Sequence, residues 1–189
     1  DADLVDSPLT ETGKRQVAGV GAGLHAELWL VGAATRSLET ARAAAAPATR
    51  ILAMDQLRSR VSPHMHTRRR PLSVLAPLFP EVDFGLVHAD EDPLFTGSDE
   101  PREALDRRVA DFLRRVADRP ERTIAVVTHF TIFLTLFQTP AEELVIGRNP
   151  ERPADGPAFF DCRDSAAPEK LRSFFAVGEV RSLMVEPAP

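Results

Sequence analysis

Two residues with useful chemistry each stand shortly after an apolar run, at the start of a helical pattern. Arg36 follows Leu28-Trp-Leu-Val31, and His129 follows Ile124-Ala-Val-Val127. A histidine is costly to bury and useful when it titrates, so its place in the most apolar stretch of an acidic chain needs an explanation. Helix starts present unpaired N–H groups and partial positive charge. A guanidinium and an imidazole that meet there would bind an anion, and phosphate is the occupant we expect.

Each of these two residues also has an ordinary structural explanation. His129 could be a core histidine with satisfied polar atoms, and Arg36 could be a surface side chain paired with Glu39 or Glu11. An arginine in the first turn of a helix opposes the helix dipole unless an anion offsets its charge. We therefore favour the interpretation that both residues belong to an anion pocket.

Further basic residues lie between these two. The run Arg68-Arg69-Arg70 is either a solvated charge run, or its members line the mouth of the pocket and bind a second anionic group of a substrate. His64, His66 and the distant His88 could suggest a metal site. Because no fixed scaffold and no neighbouring cysteine supports them, we expect no metal and no cofactor.

Alternating strand and helix patterns must position these residues. Buried strands are predicted at Leu28–Val31, Ile51–Met54, Ile124–Val127 and Val180–Val185. Helices are predicted at residues 11–24, 36–46, 72–78, 101–119 and 131–137. Residues 59–101 are otherwise irregular and rich in proline and charge, and we expect this insertion to cover the site; residues 149–157 are predicted to be a loop.

This alternation predicts an α/β fold, a three-layer sandwich with a mostly parallel sheet and helices on both faces. In such sheets, ligands bind beyond the carboxyl ends of the strands. Arg36 and His129 both fall at such ends. The predicted fold therefore gives the two residues a reason to converge.

The composition limits the class of protein and its partners. A chain of 189 residues suits one well-buried domain, so we expect residues 1–189 to form a single domain. With 23 Lys and Arg against 28 Asp and Glu, the net charge of -5 argues against a nucleic-acid or anionic-membrane surface. No apolar run reaches the roughly 18 residues of a membrane span. The single cysteine, Cys162, favours a reducing, cytoplasmic setting.

One glycine run suggests a different function. Gly19-Val-Gly-Ala-Gly23-Leu24 resembles a dinucleotide-binding loop. However, Leu24 occupies the position of the last glycine, and the run precedes a predicted strand instead of following one. A dinucleotide-binding fold is therefore the less favoured interpretation.

Five short segments follow one another between about residues 6 and 137. They are Ser7-Pro-Leu-Thr-Glu-Thr-Gly13, Thr35-Arg-Ser-Leu-Glu-Thr-Ala41, Thr67-Arg-Arg69, Leu78-Phe-Pro-Glu-Val-Asp-Phe84 and Ile124-Ala-Val-Val-Thr-His129. In this order and spacing they resemble the histidine phosphatase superfamily, in its phosphoglycerate mutase-like branch, and especially the plant and fungal members of that branch.

The resemblance implies a phosphohistidine mechanism that needs no metal. In that family, a histidine in an Arg-His-Gly or Arg-His-Ala motif attacks a phosphomonoester, while a second histidine and two arginines hold the phosphoryl group. By resemblance, Arg36 is the second clamping arginine, and His129 is the second pocket histidine and a catalytic residue. No Arg-His pair occurs in this sequence. We expect the motif and its strand to lie upstream of Asp1, which would leave the domain N-terminally incomplete.

Two further departures concern the proton donor for the leaving group. The branch carries a glutamate after a Leu-Arg pair, whereas here Leu57-Arg58 is followed by Ser59, and a hydroxyl is a poor acid. Met65-His66 also replaces the Cys-Asp of relatives. His66 or Asp55 could supply the proton instead.

Two function hypotheses follow. The first is a phosphomonoester phosphatase that acts on a phosphorylated small molecule or a phosphoprotein. The second is a catalytically inactive relative that keeps the pocket and binds an anionic ligand or partner. Ser59 favours the second hypothesis, whereas the five matching segments favour the first.

Overall fold

A sheet of four parallel strands forms the centre of the fold. The computed structural model describes residues 5–20 and 24–138. Its strands are β1 (Leu28–Gly32), β2 (Arg50–Met54), β3 (Val82–Asp83) and β4 (Ile124–Val127), in the order β3-β2-β1-β4. Its helices are α1 (Glu11–Val17), α2 (Thr35–Ala44), α3 (Leu72–Leu78), α4 (Arg102–Ala117) and α5 (Phe130–Gln138), with short 3-10 helices at Asp55–Leu57 and Met65–Thr67.

Helices cover both faces of this sheet. Because successive side chains of a strand point to opposite faces, β1 contributes to two cores. Trp29 and Val31 pack with buried residues of α2 and α3, whereas Leu28 and Leu30 pack with buried residues of α4 and α5. The predicted α/β architecture with helices on both faces is therefore confirmed. No helix in the described part of the chain is long and apolar enough to cross a membrane.

The interior position of β1 creates a crevice at one end of the sheet. After β1 the chain crosses to β2 on one side, and β4 pairs with the other side of β1. Helix α2 follows β1 and packs on one face, whereas α5 follows β4 and packs on the opposite face. The two helices diverge from neighbouring strand ends, so a crevice opens between their first turns.

Most predicted elements are confirmed, with shifts of one or two residues at their ends. The prediction for α1 was wrong, because the helix ends at Val17 and not at residue 24. Gly19, just beyond it, has a φ of 95°, which glycine adopts without the steric cost that other residues meet. Strand β3 was not predicted, since two residues are too few to show a pattern. The loop at residues 149–157, the strand Val180–Val185 and Cys162 lie outside the described residues.

Two buried arginines hold the irregular segment that follows β2. Arg58 makes two hydrogen bonds to the carboxylate of Asp92, at 2.6 and 2.7 Å. Arg108 of α4 bonds to the Glu100 carboxylate and to four carbonyl oxygens of residues 55–59. Buried backbone oxygens without sheet or helix partners need such donors. These guanidinium groups therefore fix a segment that has little regular secondary structure.

We expect Asp92→Ala to destabilise the fold by about 3–5 kcal/mol, because it leaves the buried Arg58 without its counter-charge. The matched control is Glu91→Ala, which removes an exposed carboxylate paired with Arg68 at 3.3 Å and should cost less than about 1 kcal/mol. Urea unfolding measures both free energies. Equal losses in the two variants would contradict the importance of the buried pair.

Candidate functional site

The structure brings Arg36 and His129 together, although they are 93 positions apart in the chain. The Arg36 Nε–H donates to Nε2 of His129 across 2.8 Å, and its Nη1 donates to the backbone carbonyl of His66 across 3.2 Å. Arg36 stands in the first turn of α2, and His129 directly precedes α5. The contact therefore lies in the crevice between the carboxyl ends of β1 and β4.

The contact with Arg36 determines the tautomer of His129, and burial has the larger effect on its pKa. A guanidinium keeps its protons, so Nε2 must present its lone pair, and the neutral ring carries its proton on Nδ1. Burial, and then the charge of Arg36, lower the pKa of His129 to about 3. Among the described residues, Nδ1 has no hydrogen-bond partner with acceptable geometry, although the Leu57 carbonyl favours the charged ring. In this state the imidazole is neutral at physiological pH.

The Leu57 carbonyl also ties the two strand ends together. It accepts a hydrogen bond of 2.6 Å from Thr128 Oγ1, next to His129. A Cβ at Gly32, the last residue of β1, would lie 2.7 Å from the same oxygen. Only glycine permits this close approach without a shift of the backbone. The geometry beside the pair thus depends on a small residue at the end of β1.

A buried carboxylate, missed by the sequence analysis, anchors the start of α2. Asp6 accepts hydrogen bonds from the backbone N–H and the hydroxyl of Thr35 at 2.8 and 2.9 Å, and from the N–H of Arg70. Its charge raises the pKa of Arg36, but burial has the larger effect and the net shift is downward. The sequence signal that could have identified Asp6 was an acidic residue directly before Ser7, close to the start of a predicted helix. The carboxylate of Asp6 supplies an anion that offsets the cationic start of this helix.

The alternative partners considered for Arg36 are occupied elsewhere. Glu39 accepts the backbone N–H of Leu9 at 2.6 Å, and Glu11 pairs with Lys14 at 2.8 Å. The described structure gives neither of them a bond to Arg36. The guanidinium is therefore held by His129 and a backbone oxygen, and its charge is not cancelled by a direct carboxylate contact.

A cleft of about 370 Å³ opens beside the Arg36–His129 pair. Its other lining residues are hydroxyl-bearing, basic or aromatic: Ser59, Arg60, Ser62, His66, Thr67, Phe130 and Thr131. No carboxylate is among the described residues that line it. The cleft is therefore suited to an anion.

Part of this lining was not predicted. Arg60 adds a second cation to the cleft, and Thr131 accepts the Arg60 backbone N–H at 3.0 Å. Ser59 also lines the cleft, so the position at which relatives carry an acid does face the candidate site. The available signal for Arg60 was its place directly after Leu57-Arg58-Ser59, beyond the carboxyl end of β2.

Arg68 and Arg69, both predicted to bind substrate, do not line this cleft. Arg68 lies near Glu91 and over the ring of Phe95, 5.7 Å from its centroid. Arg69 is buried, and all five of its N–H donors are used, one by Asp55 and four by carbonyl oxygens of residues 70 and 89–91. We therefore correct the role of Arg69 to a structural one, because it has no donor left for a ligand.

A second hollow, of about 610 Å³, lies at the opposite end of the sheet, near the amino end of β2. Its two arginines are already paired, Arg42 with Glu81 at 2.6 Å and Arg50 with Asp83 at 3.2 Å. Although this hollow is larger than the cleft at Arg36, the charges of its two arginines are neutralised by these carboxylates. The cleft at Arg36 is therefore the better candidate.

We expect the His129 imidazole to stay neutral between pH 8 and pH 5, which nitrogen-15 NMR of the ring can follow. Because protonation is favoured only in the unfolded chain, the free energy of unfolding should fall as the pH drops from 6.5 toward about 3. Arg36→Gln should raise the pKa of His129 by removing a nearby positive charge. Arg42→Gln, on the same helix, is the control. An unchanged pKa in Arg36→Gln would contradict the electrostatic coupling.

Comparison with known proteins identifies the family. The sequence model of the Histidine phosphatase superfamily (branch 1) matches residues 3–141. A "Phosphoglycerate mutase-like protein" of Arabidopsis thaliana is 35% identical over 81 residues, 41% of this chain and 29% of that protein. "Phosphoglycerate mutase-like protein 1" of the same plant is 35% identical over 80 residues, 42% of this chain and 28% of that protein. These two matches span less than a third of either relative. The family model spans more than half of this chain and includes both Arg36 and His129, and this chain belongs to the histidine phosphatase superfamily, branch 1.

Proposed function

We propose that this chain provides the phosphate-clamping half of a phosphomonoester phosphatase that works through a phosphohistidine. The observation that carries the proposal is the direct contact of Arg36 with His129 at the head of a cationic cleft. Membership of the histidine phosphatase superfamily supports a phosphatase-like function. The phosphohistidine mechanism is our inference. The nucleophilic histidine would come from an Arg-His-Gly or Arg-His-Ala segment, which this sequence does not contain.

In this proposal the Arg36–His129 contact opens when a phosphate arrives. The Nη2 group of Arg36 has no acceptor among the described residues and is available to a phosphoryl oxygen. A phosphate dianion would offset the charge of Arg36, which is one cause of the low pKa of His129. The imidazole would then take up a proton and donate a hydrogen bond to the same group. The two side chains would stabilise charge on the equatorial oxygens during transfer.

The proposed substrates are phosphorylated small molecules or phosphoproteins. The cleft of about 370 Å³ suits a phosphoryl group with a small part of its carrier. The net charge of -5 favours such a substrate over nucleic acid or an anionic membrane. The single cysteine favours a cytoplasmic setting, which we keep as part of the proposal.

We expect the natural full-length protein to hydrolyse a generic aryl phosphate. Arg36→Ala and His129→Ala should each lower kcat/KM by about 100- to 1,000-fold, because each removes a preorganised donor to the transferred group. Arg42→Ala is the matched control, since Arg42 lies on the same helix and pairs with Glu81 away from the cleft. Unchanged rates in the first two variants would refute the site.

Arg60 should select substrates with a second anionic group. Its Nε donates to the Glu100 carbonyl, and its guanidinium otherwise has no partner in the described structure. Arg60→Gln should raise KM about tenfold for a substrate with an additional carboxylate or phosphate, and leave phenyl phosphate little changed. Arg68→Gln is the matched comparison, because the sequence predicted this role for Arg68. A KM effect in Arg68→Gln alone would return the role to that residue.

A second candidate function is supported by the absence of a carboxylic acid in the cleft lining that the structure describes. A protein that keeps the Arg36–His129 pair, which we call the clamp, but does not catalyse hydrolysis would bind an anionic ligand or partner without turning it over. Isothermal titration of the full-length protein with phosphate, beside a hydrolysis assay, separates the two functions. Binding that depends on Arg36, together with no hydrolysis of any tested phosphomonoester, would favour the binding protein.

A further inference from the structure

We propose that His66 donates the proton to the leaving group, a role that rests on the proposed phosphatase function. When an alkyl phosphate is cleaved, the departing oxygen keeps the electron pair of the broken P–O bond and needs a proton. The donor must lie in the same cleft as the clamp, and it must exchange protons near neutral pH. The described residues that line the cleft offer few such groups.

The other cleft residues are excluded one by one. Arg36 and Arg60 do not release protons at neutral pH. Hydroxyl groups such as that of Ser59 are too weakly acidic without an adjacent base. Without substrate, Nε2 of His129 accepts the Arg36 hydrogen bond, and in the proposed substrate complex its proton is held in the hydrogen bond to the transferred phosphoryl group. His66 is the remaining titratable side chain in the described lining.

The carboxylates near the cleft do not line it, and they are engaged in ion pairs. Asp55, the alternative donor suggested by the sequence, lies 3.2 Å from Arg69 and 3.5 Å from Arg58, and it does not line the cleft. Asp92 and Glu100 are buried against Arg58 and Arg108. Fixed cations at hydrogen-bond distance stabilise the ionised form of a carboxylate, which opposes its use as an acid.

The position of His66 suits the task. Its backbone carbonyl accepts Arg36 Nη1 at 3.2 Å, which holds the residue beside the clamp. Its ring stacks on that of His64, with centroids 5.7 Å apart and planes 11° from parallel, so the orientation of the ring is restrained. His66 is exposed and lines the cleft, so its imidazole is accessible to a leaving group.

The proposed step balances in two stages. In the first, the nucleophilic histidine forms a P–N bond, the P–O bond to the leaving group breaks, and the proton of the His66 imidazolium passes to the departing oxygen. In the second, a water oxygen attacks phosphorus, its proton passes to neutral His66, and the P–N bond breaks to release inorganic phosphate. His66 ends protonated, as it began.

The test compares leaving groups in the natural full-length protein. 4-Nitrophenyl phosphate leaves as a stable phenolate and needs no proton, whereas an alkyl phosphate such as glycerol phosphate does. We expect His66→Gln to lower kcat/KM for the alkyl phosphate by about 100-fold or more and to change the aryl phosphate by only a few fold. His88→Gln, which changes an exposed histidine outside the cleft lining, should leave both rates near those of the natural protein. Retained aryl activity also reports that the variant is folded, and His66→Asn serves if the glutamine variant does not fold.

The remaining outcomes overturn the inference in distinguishable ways. Equal losses on both substrates, or no loss on either, would exclude His66 as the acid and leave the proposed phosphatase intact. If the natural protein hydrolyses the aryl phosphate but not the alkyl phosphate, then no residue, His66 included, donates a proton to the leaving group. The proposed role of Arg36 and His129 would still stand. Hydrolysis of neither substrate would refute the proposed function and this inference together.

Discussion

The parallel pairing of β1 with β4 is the constraint on which the candidate site depends. Val31 pairs with Val127 at the carboxyl ends of these strands, so the residues that follow emerge side by side. Helices α2 and α5 then leave toward opposite faces of the sheet. A guanidinium and an imidazole can meet only because this divergence leaves a crevice between the two helix starts. A different strand order would separate Arg36 from His129 by at least one strand spacing.

The irregular wall of the cleft depends on a different interaction, the pairing of buried arginines with carboxylates and backbone oxygens. Segments with little regular structure carry many backbone oxygens that need donors. Arg58, Arg69 and Arg108 supply those donors and are themselves balanced by acidic residues. Such pairs contribute little net stability once desolvation is counted, yet removing one partner is costly. Their effect here is to fix one arrangement of the loop that carries Ser59, Arg60 and His66.

These two features give the cleft an unusual balance of charges for acid–base chemistry. Two arginines, two histidines and several hydroxyl-bearing residues line it, whereas the nearby carboxylates are held in buried ion pairs. Burial, and then the charge of Arg36, keep His129 neutral beside a guanidinium that has no direct carboxylate partner among the described residues. Phosphate binding and proton uptake by His129 would be coupled in such a site. The same balance leaves proton donation to an imidazole, since no carboxylic acid faces the described cleft.

The sequence by itself determined the α/β class, the bounds of α3 and β4, and the candidacy of Arg36 and His129, because apolar periodicity and the residues after each strand are local signals. It did not determine the end of α1, because a weak helical pattern does not fix which residue before Gly19 is the last helical one. The tertiary structure alone decided which basic residues face the cleft. Arg68 and Arg69, adjacent in one run, met different neighbours: Arg69 is a buried structural residue, and Arg68 lies near Glu91. Arg60, outside that run, lines the site instead. Side-chain direction in a loop is set by long-range partners such as Asp92 and Arg108, and these lie too far along the chain for a local pattern to reveal.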